Sequence, residues 1–234
     1  MALEKKDFIE IEFTGKVKDG EIFDSNVEEV LKKVSSQADK IKPKPFIFSL
    51  GEGMFLPAID DFLIGKPETP ADYNIELPPE KAFGVRNQLL IQKVPIQIFQ
   101  QHKLNPIPGY VFNFDGRVGK VLASTGGRVT VDFNHPLAGK NVIYEIKLLR
   151  KVEDLNEKIK SFIDFLFRRE LPFEIQQNKL LIEVEKQLKD FVFLFKDKFN
   201  DVFGLELEVR EKVEEAGKEA KELEEEVLDK TNSG

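Results

Sequence analysis

The residues of this chain best placed to do chemistry are apolar ones. Phe46 to Gly65, FIFSLGEGMFLPAIDDFLIG, reads as a short strand with Phe46, Phe48 and Leu50 alternating, a break at Gly51 and Gly53, and a short amphipathic helix. That helix carries Phe55, Leu56, Ile59, Phe62 and Leu63. A strand delivering Phe46 and a helix delivering Phe55, Leu56 and Ile59 either converge on one apolar pocket or form a hairpin that buries an ordinary core. Other kinds of chemistry are narrowed by composition. With no Cys there are no disulfides, no thiol catalysis and no Cys-ligated metal. The two His, His102 and His135, are too few for a His-built metal site. Gly51, Gly53, Gly126 and Gly127 lack the spacing of a phosphate loop. No metal and no cofactor are expected.

At 234 residues the chain exceeds a typical single domain and suggests two or three small ones. Apolar residues make up 41%, enough to build cores, and with 21 Phe, three Tyr and no Trp the aromatic surface is nearly all phenylalanine. A net charge of −7 argues against non-specific nucleic-acid binding, which needs a positive surface. The opening MALEKKDFIE has no apolar signal region, and no apolar run approaches the roughly 20 residues that span a bilayer. The expectation is a cytoplasmic protein with no membrane partner.

The elements that must position these residues follow in order. Residues 7 to 24 read as a hairpin, with Phe8, Ile9, Ile11 and Phe13 in the first strand and Asp19-Gly20 as the turn. Val27, Val30, Leu31 and Val34 fall at helical spacing. A polar loop with two prolines, 35–45, leads into the Phe46 stretch. Ala71 to Leu77 alternates as a strand, and EKAFG at 80–84 is a turn presenting Phe83. Residues 85 to 139 have a different texture. A dense apolar run split by Pro95 precedes strand-like segments at 110–114, 117–123 and 128–133, joined at Asp115-Gly116 and Gly126-Gly127. This predicts a small all-β unit. Val142 to Leu149 reads as one more buried strand.

Asp154 and Glu157, at capping-box spacing, open a helix over 154–169. Two strands flank Asn178-Lys179, and a second helix over 186–203 carries Leu188, Phe191, Val192, Phe195, Phe199 and Val202 on its apolar stripe. A last strand follows. The second helix also carries Phe193, Leu194 and Phe203 off that stripe, which points either to self-association or to a deeper core of the same domain. Residues 211–234 read as a solvated helix.

Taken together, IEFTG at 11–15, IFDS after Asp19-Gly20, the stretch at 46–65, LPPEKAFG at 77–84 and NVIYEIKLL at 141–149 resemble, in order, the FKBP-type peptidyl-prolyl isomerases. The branch is the SlyD-like one, in which a β domain is inserted in the flap; NHPLAGK, 134–140, is similar to the junction where that insert returns. The resemblance covers about residues 1 to 152. The rest looks like the extra C-terminal domain of long archaeal-type members.

The resemblance implies rotation of X–Pro amides, with Asp24, Phe46, Phe83 and Tyr144 as catalytic residues. It implies that Phe13, Phe23, Phe55, Leu56, Ile59, Leu137 and Ala138 bind substrate. Asp24 followed by Ser25 and Asn26 is also a helix-capping signature. Two departures from the family pattern each remove a hydroxyl: Phe13 and Phe83 stand where tyrosines are usual. Ile59 stands where tryptophan is usual. The insert is implied to bind unfolded chains, with Leu89, Leu90, Ile91, Ile96, Ile98 and Phe99 as candidate surface, or as the insert's own core.

The expected fold class is α+β. An FKBP-like antiparallel sheet wraps a short helix (1–84 and 140–152), a small β domain is inserted (85–139), and an α-β-β-α-β domain follows (153–234). The expected function is a peptidyl-prolyl cis/trans isomerase that also acts as a folding chaperone, with proline-containing and unfolded polypeptides as partners. A homodimer through the C-terminal domain is expected. The alternative is a non-catalytic chaperone or peptide-binding module on the same fold.

Overall fold

A computed structural model describes residues 1–34, 43–114 and 116–212. The chain forms two compact units, Met1–Glu153 and Asp154–Gly234. The first contains strands β1 (Phe8–Val17) and β2 (Ile22–Ser25), helix α1 (Glu28–Val34), β3 (Phe46–Ser49), α2 (Pro57–Leu63) and β4 (Ala71–Leu77). It continues with β5 (Ile91–Pro95), α3 (Ile96–Gln101), β6 (Val111–Phe114), β7 (Arg117–Thr125), β8 (Arg128–Asp132) and β9 (Val142–Val152). The second contains α4 (Leu155–Phe167), β10 (Phe173–Gln176), β11 (Lys179–Val184), α5 (Lys189–Phe193), α6 (Lys196–Phe203) and β12 (Glu206–Glu211).

In the main sheet, β2, β1, β9 and β4 lie side by side, all antiparallel. Strand β1 shares its free edge between two partners. Phe8 to Ile11 pair with β3, and Thr14 to Lys16 pair with β2. That division brings Phe46, opposite Ile11, close to the strand carrying Phe23 and Asp24. Along β9, Val142, Tyr144, Ile146 and Leu148 are buried while Glu145 and Lys147 are exposed, the period of a sheet with one covered face. Ile59 and Leu63 of α2, both fully buried, belong to this core.

The turn from β3 into α2 takes left-handed backbone at Gly51 (φ 79°) and Gly53 (φ 71°). It is pinned by the Gly51 N–H donating to Asp60 Oδ2 at 3.0 Å, and the Ser49 N–H meets Met54 Sδ at 3.3 Å. Pro57 occupies the first turn of the helix, where its missing N–H costs nothing. Helix α2 therefore starts after Phe55 and Leu56. The expectation that both ride on the helix is corrected: Phe55 lies in the turn and Leu56 is the N-cap.

The insert is a four-stranded sheet, β5-β8-β7-β6. It is not all-β: Pro95 caps the six-residue helix α3, and the i, i+3 spacing of Ile96 and Phe99 turns both toward the insert's core. Phe99, Val121, Val129 and Val131 are that core, with Val94, Ile96, Phe112, Phe114 and Phe133 packed on it. The two chain crossings into the insert are tied together. The Gly139 N–H donates to Gly84 O (2.8 Å), the Asn87 N–H to Asn134 Oδ1 (2.8 Å), and Asn134 Nδ2 returns a bond to Asn87 O (3.0 Å). Arg86 pairs with Asp132 at 2.6 Å.

In the second unit β11 lies between antiparallel β10 and parallel β12. Asp154 Oδ1 caps α4 by accepting from the Glu157 N–H at 2.8 Å. The single helix expected over 186–203 is corrected to a 3₁₀ turn and two short helices that break at Leu194-Phe195. Phe195 packs on Phe167 (5.3 Å) and Phe191 (5.6 Å) at that break. Phe191, expected on the buried stripe, is 48% exposed, with Phe193 at 47% and Leu194 at 76%. Among the described residues no helix is long and apolar enough to cross a membrane. Most of the loop at 35–45, Asp115 of the expected turn and nearly all of the helix expected over 211–234 lie outside the described residues.

Candidate functional site

Segments far apart in the sequence bring aromatic rings together on the main sheet. Phe13 of β1 meets Phe55 at 5.0 Å between centroids, Phe46 of β3 at 6.4 Å and Tyr144 of β9 at 6.3 Å. Phe46 and Phe55 are 5.8 Å apart, and Phe55 and Tyr144 5.5 Å. Phe23 of β2 stands edge-on to Tyr144 (5.8 Å) and to Phe83 (5.6 Å), and Phe83 stacks flat on His135 at 4.9 Å. Edge-to-face contacts of this kind add about 0.5–1.5 kcal/mol each beyond the area they bury.

Burial divides the set into layers. Phe13, Ile59 and Tyr144 are buried, and Phe23, Phe46, Phe55, Leu56 and Phe83 are half-buried. A ligand would meet the second group first, with the buried three beneath. Leu137 and Ala138 are half-buried in the tight turn after β8, where the Ala138 N–H donates to His135 O (2.9 Å) and the Leu137 N–H to His135 Nδ1 (3.2 Å). Ala138 also lines a groove on the insert.

Asp24 is placed by its neighbours. Ser25 Oγ accepts from the Val27 N–H (3.1 Å) and donates to Phe13 O (3.0 Å), while Asn26 Oδ1 accepts from the Phe13 N–H (2.6 Å). Ser25 thus ties the backbone just before α1 to β1, and Asn26 bonds β1 itself. Asp24 remains exposed as a residue, and partial desolvation of its carboxylate raises its pKa, offset in part by a hydrogen bond from the Ser25 backbone. Burial, and then the charge of Asp24, push the Tyr144 hydroxyl well above its ordinary range. The acid and the phenol therefore share one electrostatic environment. On the helix that carries Ile59, the adjacent Asp60 is also buried and its pKa is raised to about 6, chiefly by burial, against the bond from the Gly51 N–H.

One residue of the site carries no role in the sequence reading. Gly15 of β1 is the register partner of both Asp24 and Tyr144. A Cβ there would stand 2.8 Å from Phe23 Cε2 and 3.1 Å from Tyr144 Cε1, so only a hydrogen allows the two rings to meet over the strand. An isolated glycine inside an alternating strand is the signal that finds it.

The candidate insert surface divides differently. Leu89 (82% exposed) and Ile98 (39%) face solvent, whereas Leu90, Ile91 and Ile96 are half-buried. Phe99 is corrected to core at 1% exposed, because α3 directs it against Phe112 and Phe114. The sheet presents three further apolar side chains outward, Val111, Val118 and Leu122.

The arrangement is a ring-lined apolar site with one carboxylate, on an antiparallel sheet interrupted by a small second sheet. Residues 1–100 match the family described as FKBP-type peptidyl-prolyl cis-trans isomerase, and residues 92–137 match the one described as FKBP26, IF domain. A short-type peptidyl-prolyl cis-trans isomerase of Methanocaldococcus jannaschii is 31% identical over 146 residues, covering 62% of this chain and 92% of that protein. The chain belongs to the FKBP-type peptidyl-prolyl cis-trans isomerase family. Within it, a probable 16 kDa FKBP-type isomerase of Pseudomonas fluorescens is 33% identical over 119 residues, 50% of this chain and 77% of that one. The SlyD isomerase of Aeromonas hydrophila is 24% identical over 142 residues, 60% of each.

Proposed function

We propose that the ring cluster binds the proline of an X–Pro segment and speeds rotation about its amide, with Asp24, Phe46, Phe83 and Tyr144 as the catalytic residues. Phe13, Phe23, Phe55, Leu56, Ile59, Leu137 and Ala138 complete the substrate site. Rotation breaks no bond, so no nucleophile or metal is needed. The barrier is about 18–20 kcal/mol for peptide bonds generally, and a thousandfold acceleration lowers it by roughly 4 kcal/mol. A planar amide is more charge-separated than a twisted one. A site that strips its water therefore disfavours the planar form relative to the twisted one. Asp24 supplies a carboxylate beside the rings. The observation that carries the reading is the convergence of Phe13, Phe23 and Phe55, from three separate segments, on Tyr144, with the charge of Asp24 acting on its hydroxyl.

The test is catalysed cis/trans isomerisation of a short X–Pro peptide. The whole chain accelerates it, and Asp24→Ala and Phe46→Ala each lower kcat/KM about tenfold or more. If the whole chain gives no acceleration yet still suppresses aggregation of an unfolded protein, the site is a binding module and the missing hydroxyls at Phe13 and Phe83 become the explanation.

We read residues 1–84 and 140–152 as the isomerase domain, 85–139 as a chaperone insert and 153–234 as the added domain of a long archaeal-type member. The M. jannaschii relative, named short-type, matches only 62% of this chain, which supports that reading. Unfolded polypeptides are the insert's clients; its outward apolar side chains support this. The exposed Phe191, Phe193 and Leu194 support a homodimer through the C-terminal unit. Sedimentation showing a monomer at micromolar concentration would remove that last element.

A further inference from the structure

We infer that the insert selects among unfolded clients by charge: its outward groove takes segments in which a carboxylate lies beside aliphatic residues, and Lys120 and Lys140 set the preference. This rests on the reading of the insert as the holder of unfolded chains.

The groove follows from the strand period. In β7 the buried Gly119 and Val121 point to the insert's core, so Val118, Lys120 and Leu122 share the opposite face. Register adds Val111 and Asp132, both opposite Lys120. Val111 is 58%, Val118 56% and Leu122 37% exposed. A small sheet in water normally keeps one face polar. Here the outer face mixes three exposed aliphatic side chains with polar and charged ones, Lys120 and Asp132 among them, and it is part of a groove of about 660 Å³.

The charges in that groove run against those of the molecule. The chain carries a net −7, yet the groove is lined by Arg86, Lys120 and Lys140 and by a single acid, Asp132. Asp132 is already engaged by Arg86 at 2.6 Å and by Asn134 Nδ2 at 2.6 Å. Lys120 and Lys140 have no carboxylate partner among the described residues. A local positive potential on an acidic chain steers and selects anionic partners. The aliphatic side chains of Val111, Val118 and Leu122 suit side-chain packing, and the net charge of −7 on the chain disfavours a nucleic acid. The groove also continues from the ring site: His135, one of its lining residues, is the ring stacked on Phe83.

The test uses the full chain and three labelled, proline-free peptides with one aliphatic pattern, carrying Asp, Asn or Lys at the intervening positions. Fluorescence anisotropy at low salt is expected to rank them Asp, Asn, Lys, with the Asp peptide about tenfold tighter than the Asn one. Raising salt to about 0.5 M should collapse the ranking. Lys120→Gln with Lys140→Gln should bring the three within about twofold, whereas the Lys→Arg pair keeps the ranking. Val118→Ser should weaken all three together and leave the ratio unchanged. Equal binding of the three peptides overturns charge selection and leaves the chaperone reading standing. Failure to bind any of them, with no suppression of aggregation, overturns both. A ranking that survives the double Gln change, or an oligonucleotide that displaces the Asp peptide from the groove, also overturns the inference.

Discussion

The ring cluster around Tyr144 and the outward face of the insert's sheet both present apolar side chains, but they are assembled in opposite ways. The cluster draws single side chains from segments far apart in sequence, and its buried members rest on a large sheet. The groove draws its floor mainly from two neighbouring strands of a small sheet, and among the described residues that sheet's core has four buried side chains, Val121, Val129 and Val131 on strands and Phe99 on α3. The first is neutral apart from one acid; the second is rimmed by cations. A surface built from distant segments holds its shape only if the whole unit is folded, and suits recognition of one rigid ring. A surface built locally on a thin core needs little else, and suits loose capture of many sequences.

The largest test of that contrast removes a core ring from each region. Phe99→Ala should cost about 3–5 kcal/mol and open the insert alone. Hydrogen exchange would then show residues 91–133 losing protection while β1 and β9 keep theirs. Phe48→Ala, also fully buried, should cost a similar amount but loosen the main sheet. If Phe99→Ala unfolds both sheets in one transition, the two regions are a single cooperative body.

A second test uses the opposite behaviour of two carboxylates. Asp60 has a folded pKa of about 6, above its ordinary value, so its contribution to stability is full below about 4 and is lost as pH rises through 6. Burial also acts to raise Asp132, but its bonds from Asn134 and the Arg86 charge outweigh that and hold it below its ordinary value. Its contribution is present above about 4 and lost on further acidification. Denaturant titrations should show the main sheet gaining up to about 3 kcal/mol between pH 7 and pH 4, a gain that Asp60→Asn abolishes. A pH-independent main sheet in the unmodified chain would reject this account of Asp60.

The smallest effect comes from two matched glycines. At Gly119 an added Cβ would lie 2.6 Å from Val131 Cγ1 and 2.8 Å from Phe133 Cε1. Gly119→Ala and Gly15→Ala should each cost about 1–3 kcal/mol. Gly15→Ala should raise KM for a short X–Pro peptide by displacing Phe23, while Gly119→Ala should leave that KM alone. Equal effects on KM would show that the regions are mechanically coupled.

Much of this is legible in the sequence, and the exceptions have physical reasons. The alternation of β1, β4 and β9 and the turn chemistry of Gly51 and Gly53 suffice to bring Phe46 near Phe55, because period and glycine placement are local signals. Phe99 is not legible as core. A dense run such as Leu89 to Phe99 has no period, and Pro95 divides it between a strand and a helix of different phase. Phe191 misleads for a related reason: 186–203 keeps a helical spacing throughout, but the break at Leu194-Phe195 rotates what precedes it. The groove is hidden because Val118 and Leu122 alternate with Gly119 and Val121, so apolar residues fall on both faces and neither stands out.

The tied neck of the insert bears on how quickly the chain reaches this arrangement. Leu77 must find Val142 across the whole insert before β4 and β9 can zip. An insert that folds first, with Gly84 held to Gly139, shortens the stretch to be closed from roughly sixty residues to roughly ten. That lowers the entropy of closure by about 1.5 kcal/mol. On that order of events a remote pairing becomes a near one, which shortens the search for the β4–β9 register.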